Sequence, residues 1–355
     1  MPKVVVGMSG GVDSAVAAYL LKKSGYEVIG ITLRVWESAD GTESRCCEID
    51  DARTVSWKLG TQYYPMNCTT QFRENVIKPF IEDNTSGRTP NPCIICNRSV
   101  KFDRLLYLKK VLKADFIATG YYANVVRLDN GRYTLKKALH SKKDQTYMLY
   151  ALTQEQVAAT MMPIGNLTKS EVRSLAREAG FTVAEKPDSQ ELCFISEGSY
   201  ADYIEKQGIA AVWGPGNFID EDGHVLGLHK GIIHYTVGQR KGLGLSLGYP
   251  AYVKEIRNSG NEVVIGREHD LYTRIVICED INLMSIASLK EKMRCTVKIC
   301  YQHAGQEAVI ESAGDNCVRI CFDDPVRAAA PGQAAVFYDQ DDCLIGGGVI
   351  SEVVF

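Results

Sequence analysis

Two cysteines three positions apart, Cys93 and Cys96 in "NPCIICN", are the residues of this 355-residue chain whose type and spacing most directly invite chemistry. Such a pair can hold a metal, cycle as a redox couple, or set a nucleophile beside a helper thiol; it can also be two small apolar side chains in a core. It follows the proline-rich "SGRTPNP" and precedes Arg98, Lys101 and Arg104, so positive charge and a helix N-terminus both act to lower a thiol pKa there. Zinc is the weaker reading, because no second CxxC or HxxxH partner is present. A further cysteine, Cys193, stands in "DSQELCFIS" behind Lys186 and Pro187. Cys278, Cys295, Cys300, Cys317, Cys321 and Cys343 fall mostly in apolar β-prone runs and read as small packing side chains, while the adjacent Cys46 and Cys47 stay open.

The second chemical stretch is "GMSGGVDS", that is Gly7, Met8, Ser9, Gly10, Gly11, Val12, Asp13 and Ser14. Glycines there let backbone approach an anion, and the first N–H groups of a following helix point at it. The lysine of a Walker A loop is absent, and so is the glycine spacing of a dinucleotide fingerprint. The stretch resembles instead the SGGxDS loop of enzymes that cleave ATP between the α and β phosphates and leave AMP on a substrate oxygen.

These residues need elements to position them. "KVVVG", "VDSAVAAYLLKKSG" and "YEVIGITLRVW" read as strand, helix and strand, with Val12, Ala15, Val16, Tyr19 and Leu20 at helical spacing and Gly25 as a stop. "EIDDARTVSWKLG" and "SVKFDRLLYLKKVLK" read as helices and "ADFIATG" as a strand, the alternation expected of a doubly wound parallel sheet. "TKSEVRSLAREAG" reads as a helix with Thr168 as N-cap and Glu171 three places on. Beyond about residue 206 glycine, proline and short β-prone runs dominate. From residue 274, alternating runs such as "RCTVKICY", "CVRICFD" and "AAVFYDQDDCLIGGGVI" suggest a small antiparallel barrel or sandwich. The expected architecture is α/β: an N-terminal doubly wound domain over 1–205, a small central β-rich domain over 206–273 and a C-terminal antiparallel β-barrel over 274–355.

Composition sets limits on partners. A net charge of −3 gives no bulk attraction for nucleic acid, so any such contact must come from local patches such as Lys136, Lys137, His140, Lys142 and Lys143. No basic leader and no long apolar run is present, so the expectation is a soluble cytoplasmic protein with no membrane partner and with reduced thiols rather than a disulfide framework.

Taken together, "GMSGGVDS", "SGRTPNP", "CN" followed by "KFD", "ATGYYA", "KDQTYMLY", "KPDSQELCFI", "YTVGQRKGLG" and "PGQAAVFYD" make the chain similar, over nearly its whole length, to the bacterial tRNA-specific 2-thiouridylases. The resemblance implies that ATP, with Mg2+, adenylates O2 of the wobble uridine of tRNA and that sulfur replaces this oxygen to give 2-thiouridine, AMP and pyrophosphate. A cysteine desulfurase or a sulfur-relay protein would be the donor. It further implies that Gly7 to Ser14, Leu33 and Gly120 bind ATP, with Asp13 required for adenylation; that Cys96 is the nucleophile and Cys193 the persulfide carrier; and that Asn91, Pro92 and position 93 meet the flipped-out base. Lys143, Asp144, Gln145, Tyr301 and Gln333 match tRNA contacts.

Three positions depart from the family pattern. Cys93 stands where many members have Asp, Tyr121 replaces a histidine near the tRNA, and Cys300 replaces a basic residue before Tyr301. With Cys93 present, Cys93, Cys96 and Cys193 are the number of thiolates that can ligate a [4Fe-4S] cluster and leave one iron open, as in related cluster-dependent RNA thiolases. The persulfide route through Cys193 and Cys96 and this cluster route both stand at this point. Outside sulfur transfer, an amide-forming ligase of the same loop class and a tRNA-binding or metal-storing protein with a vestigial loop are the alternatives.

Overall fold

A computed structural model describes residues 1–36, 48–187, 192–195, 198–208 and 214–355. Cys46 and Cys47 lie outside the described residues.

The valine run forms β1 (Lys3–Gly7), which pairs in parallel with both β2 (Glu27–Arg34) and β4 (Phe116–Ala118) and so lies in the middle of a five-stranded sheet. β3 (Gln62–Asn67) forms one edge and the short strand Thr160–Met161 the other, giving the all-parallel order β3, β2, β1, β4, Thr160–Met161. Val5 and Ile29 enter the core on one face, Val4, Val6 and Val28 the core on the other. Side chains alternate along a strand, so a continuous apolar run is what a sheet covered on both faces requires. The expected doubly wound fold is the one observed.

The first helix, α1 (Val12–Lys23), is buried more widely than its sequence period suggests. Ser14, Ala17, Ala18 and Leu21 are buried along with Val12, Ala15 and Val16, whereas Tyr19 and Leu20 are only half-buried. The reason is that a second helix, Lys169–Glu178, packs on it as well as the sheet, all three sharing one core, and small residues let both neighbours approach. That second helix starts as expected: Thr168 Oγ1 accepts from Glu171 N, and Glu171 returns a bond to Thr168 N, closing a capping box.

The alternating C-terminal runs close into a six-stranded antiparallel barrel, in the order Tyr272–Leu283, Val318–Arg327, Gln306–Ser312, Met293–Lys298, Ala334–Tyr338, Leu344–Val354. "AAVFYDQDDCLIGGGVI" is thus a hairpin, turned where Asp339 Oδ1 accepts from the backbone N–H groups of Asp341 and Cys343. A four-stranded central sheet, with strands Gly216–Ile219, Val225–His229, Tyr252–Arg257 and Glu262–Gly266, stands between barrel and N-terminal domain in the chain.

The barrel is not a separate bead. Met284, Ala334, Val336, Tyr338 and Leu344 belong to the same core as Val5 and Phe102, Tyr147 OH donates to Ala334 O at 2.9 Å, and Asn282 Nδ2 donates to Tyr150 O at 2.7 Å. It also grips the proline-rich loop: Thr89 N donates to Pro331 O at 2.8 Å, and Arg88 bonds Glu279 at 2.8 Å while facing Asp83 at 3.4 Å. Gly332 makes this possible. It sits at φ +91°, and a Cβ there would come within 2.7 Å of Thr89 N. Gly332→Ala should therefore cost about 1–3 kcal/mol in chemical denaturation and loosen the Arg88–Pro92 segment; proteolysis within 86–92 is the direct check.

Candidate active site

The strand order places a crevice at the C-terminal ends of β1 and β4, where the crossovers on either side of the sheet diverge. The loop Gly7–Ser14 lies there. Met8 is anchored to β2 through Met8 N to Ile31 O, 2.7 Å, and Thr32 Oγ1 to Met8 O, 2.7 Å. Ser14 Oγ accepts from Ser9 N at 3.2 Å and donates to Gly11 O at 3.1 Å, curling the backbone about the helix N-terminus. Gly10 adopts φ +81°, with Glu48 packed so closely that a Cβ would meet it at 2.6 Å. Leu33 is half-buried near the end of β2, and Gly120 follows β4. A Cβ on Gly120 would lie 2.5 Å from Ser14 N, so the glycine allows the two sides of the crevice to meet.

Asp13, on the first turn of α1, does not face open solvent alone. Lys169 Nζ donates to both carboxylate oxygens at 2.8 Å, and Tyr122 OH donates to Oδ1 at 2.8 Å. Tyr122 is fixed in turn by Gln145, whose Oε1 accepts from Tyr122 N at 2.9 Å.

The cysteine pair rides on a short helix, Pro92–Cys96. Asn91 caps it by accepting from Cys93 N at 3.2 Å, and Pro92 occupies the first turn, where its missing N–H costs nothing. The chain then widens through a π turn, Asn97–Phe102, into the helix Asp103–Val111. Cys93 is exposed, whereas Cys96 is 4% exposed and sits among Phe72, Phe80, Val100 and Phe194. Cys193 packs against this same cluster, carried there by Phe194, whose ring meets Phe72, Phe80 and Tyr203 edge-on. Cys96 and Cys193, 97 positions apart, therefore share one apolar cluster. Cys68 lies in it too, but burial pushes its thiol up to about 11 against the pull of Arg104, leaving it a packing residue at neutral pH. Cys278 and Cys295 in the barrel are likewise pushed up by burial, the latter to about 12, in keeping with their reading as small apolar side chains.

Tyr121 joins this region to the crevice. Its hydroxyl donates to Asn97 Oδ1 at 2.6 Å and accepts from Lys101 Nζ at 3.5 Å, and Asn97 Nδ2 reaches back to Met148 O at 2.9 Å. Burial raises the phenol pKa, countered by Lys101 and reinforced by the nearby Cys96 and Cys93. Tyr121 is thus a neutral hydrogen-bonding group beside both cysteines.

The residues matched to RNA contacts divide into two kinds. Lys143 is partly exposed. Asp144 is buried, its carboxylate accepting from Ala138 N at 3.0 Å and Thr146 Oγ1 at 2.7 Å, and Gln145 is engaged with Tyr122, so these two side chains hold the loop. Tyr301 OH donates to Asp144 O at 3.2 Å, which ties the barrel to that loop, and Gln333 N and O are bound within the barrel by Ala330 O and Ile350 N. Lys298, absent from the sequence reading, lies 5.9 Å over the rings of both Tyr147 and Tyr301, its ammonium pKa lowered by burial and supported by Asp144. Its only sequence cue is its place three residues before Tyr301. Tyr122 and Lys169 were also missed, although one adjoins Tyr121 and the other stands inside the recognised capping box.

Because the neighbours of Gly120 are backbone atoms that cannot swing aside, Gly120→Ala should push the end of β4 away from the start of α1 and cost about 1–3 kcal/mol, read by chemical denaturation.

Three family models match the chain: a tRNA methyl transferase HUP domain over 2–197, a tRNA methyl transferase PRC-barrel domain over 202–267 and an aminomethyltransferase beta-barrel domain over 273–350. The tRNA-specific 2-thiouridylase MnmA of Lachnoclostridium phytofermentans is 50% identical over 99% of this chain and 99% of its own length. Its namesakes in Acetivibrio thermocellus and Clostridioides difficile are 49% and 45% identical, over 98% and 99% of this chain and 99% and 98% of their own. The domain descriptions speak of methyl transfer and the relatives' names of 2-thiolation; a phosphate-type loop beside paired cysteines agrees with the relatives. The chain belongs to the family of tRNA-specific 2-thiouridylases.

Proposed function

We propose that this chain is an ATP-dependent tRNA sulfurtransferase that adenylates O2 of the wobble uridine and replaces that oxygen with sulfur. The observation that carries the reading is the pair Tyr121–Tyr122: one hydroxyl bonds Asn97 beside the cysteine pair and the next bonds Asp13 in the nucleotide loop, so an ATP site and a thiol site share one wall. An amide-forming ligase would have no use for the second site.

In this reading the uridine O2 attacks the α-phosphate, pyrophosphate leaves, and C2 becomes electrophilic with AMP as its leaving group. Backbone N–H groups at the start of α1 and the helix dipole favour the phosphates. Asp13 is a hard oxygen donor suited to a Mg2+ ion carried in by ATP. Asn91 and Pro92 flank the base, and residues 274–355 hold the tRNA body through Tyr301 and Gln333, joined by Lys143 of the N-terminal domain, with 1–205 performing the chemistry and 206–273 linking the two. A tRNA substrate and reduced thiols favour the cytoplasm as its compartment, and among the described residues no helix is long and apolar enough to cross a membrane.

For the sulfur step, the shared apolar cluster of Cys96 and Cys193 favours persulfide chemistry. The terminal sulfur of a Cys193 persulfide, loaded by a cysteine desulfurase or relay protein, attacks C2 and expels AMP. The Cys96 thiolate then attacks the Cys193 sulfur, releasing 2-thiouridine and leaving a Cys96–Cys193 disulfide that an external thiol reduces. Cys96→Ser and Cys193→Ser should each abolish 2-thiouridine, read by mass spectrometry of digested tRNA, while tRNA-dependent pyrophosphate release stays within about three-fold. Thiolation that survives both would remove the cysteines from the reaction.

One observation favours a second reading. Cys93 stands one helical turn from Cys96, and both lie close to Tyr121, so Cys93, Cys96 and Cys193 supply a three-thiolate donor set suited to a [4Fe-4S] cluster. Such a cluster would offer an open iron for a sulfur ligand. Protein purified without oxygen should then carry about four irons and four sulfides per chain, lost in Cys93→Ala; no iron returns the sulfur step to Cys96 and Cys193 alone.

A further inference from the structure

The segment that carries Cys193 starts from a residue held on two sides. Lys186, seven positions before Cys193, places Nζ 2.5 Å from Glu48 Oε2 and 2.5 Å from Asp51 Oδ2, while its carbonyl accepts from Arg173 Nη2 at 3.0 Å. Its backbone is extended, at φ −63° and ψ 134°, as a following proline favours, so the direction in which the chain leaves is set as well. The short 3-10 turn before it, Thr182–Glu185, is clamped by the helix Lys169–Glu178: Arg173 Nη1 donates to Ala184 O at 3.0 Å, and Arg177 Nε to Glu185 Oε1 at 2.7 Å.

The two carboxylates belong to the surroundings of the nucleotide loop. Asp51 stands in the first turn of the helix Ile49–Leu59 and Glu48 immediately before it. Glu48 N donates to Ser9 O at 3.3 Å, and the Glu48 side chain packs on Gly10. The bridge from Glu48 and Asp51 to Lys186 therefore joins the loop that receives ATP to the root of the chain that carries Cys193. Lys186, Glu48 and Asp51 have side chains 30%, 32% and 38% exposed, a setting in which ion pairs add little to stability. A lysine that only balances two carboxylates needs neither a fixed carbonyl nor a fixed exit direction.

We propose that Lys186 is a positioning residue for the sulfur step: by bridging Glu48 and Asp51 it anchors the Cys193 segment to the nucleotide loop, so that Cys193 meets the base adenylated there. This rests on the proposed ATP-dependent sulfur transfer and serves either role of Cys193, persulfide carrier or cluster ligand. A tether anchored seven residues away keeps the Cys193 sulfur at a high effective concentration beside the base; without the anchor the free chain is longer and the activated base waits for sulfur. Adenylation does not use the bridge.

The test follows pyrophosphate and 2-thiouridine in a single turnover, with the chain in excess over tRNA, Mg·ATP present and a cysteine desulfurase fed with cysteine as sulfur source. It compares the unsubstituted chain with Lys186→Met, Lys186→Arg and Asp51→Asn. The expected result for Lys186→Met is pyrophosphate formed at a rate within about three-fold and at unchanged half-saturating ATP, with 2-thiouridine formed about ten-fold or more slowly. Lys186→Arg, which keeps a cation able to bond both carboxylates, should bring the 2-thiouridine rate back to within about three-fold. Equal slowing of both products in Lys186→Met overturns the inference, as does a 2-thiouridine rate that does not fall. If Lys186→Met forms no pyrophosphate, Asp51→Asn decides, because Glu48 still holds the lysine there: a 2-thiouridine rate about three-fold or more below the pyrophosphate rate, each relative to the unsubstituted chain, supports the bridge, and equal relative rates overturn it. Absence of pyrophosphate from the unsubstituted chain would instead count against the ATP-dependent reaction, and pyrophosphate without 2-thiouridine against the sulfur transfer on which the inference rests.

Discussion

Two consecutive tyrosine hydroxyls hold the site together. Tyr122 bonds the Asp13 carboxylate and Tyr121 bonds Asn97, on the turn that follows Cys96, so a single residue step after β4 fixes the distance between nucleotide loop and thiols. The bond from Tyr122 to the charged carboxylate contributes on the order of 1.5–3 kcal/mol, and the neutral bond from Tyr121 to Asn97 about 0.5–1.5 kcal/mol. Everything nearby supports that step. Gln145 accepts from the backbone of Tyr122, Gly120 lets the strand end touch α1, and Asn97 passes the restraint on to Met148.

The barrel acts on the same region from the other side. Its Pro331–Gly332 turn and Glu279 grip Arg88 and Thr89, the residues that lead into the capped helix bearing Cys93 and Cys96, and Tyr301 bonds the carbonyl of Asp144. A loop rich in prolines has few backbone donors of its own, so its conformation depends on what it leans against. The element expected to hold RNA therefore also shapes the site. This gives a physical route by which force on the barrel reaches the cysteine helix; Asp144 and Gln145 turn inward because they accept from Ala138 N and Tyr122 N, while Lys143 is partly exposed.

Burial grades the thiols. Cys68, Cys278 and Cys295 lie where desolvation disfavours a thiolate, whereas Cys93 is exposed and Cys193 lies at the border of the cluster that contains Cys96. Lys101, hydrogen-bonded to Tyr121 near the pair, adds the positive charge that the sequence of that helix suggested.

By itself the sequence determined the layers and the local starts of structure. Valine runs fixed strands covered on both faces, Thr168 and Glu171 fixed a helix end, glycines in "GMSGGVDS" marked an anion loop, and alternation after residue 274 marked a barrel. These are short-range signals, set by periodicity and by which backbone angles a residue tolerates. Which distant residues meet was decided only by tertiary structure: Lys169 with Asp13, Cys193 with the cluster around Cys96, Pro331 with Thr89, and the inward turn of Asp144. No local rule encodes such pairs, because a side chain's partner across a crevice depends on how sheet, helices and barrel pack, and that packing is a property of the whole chain.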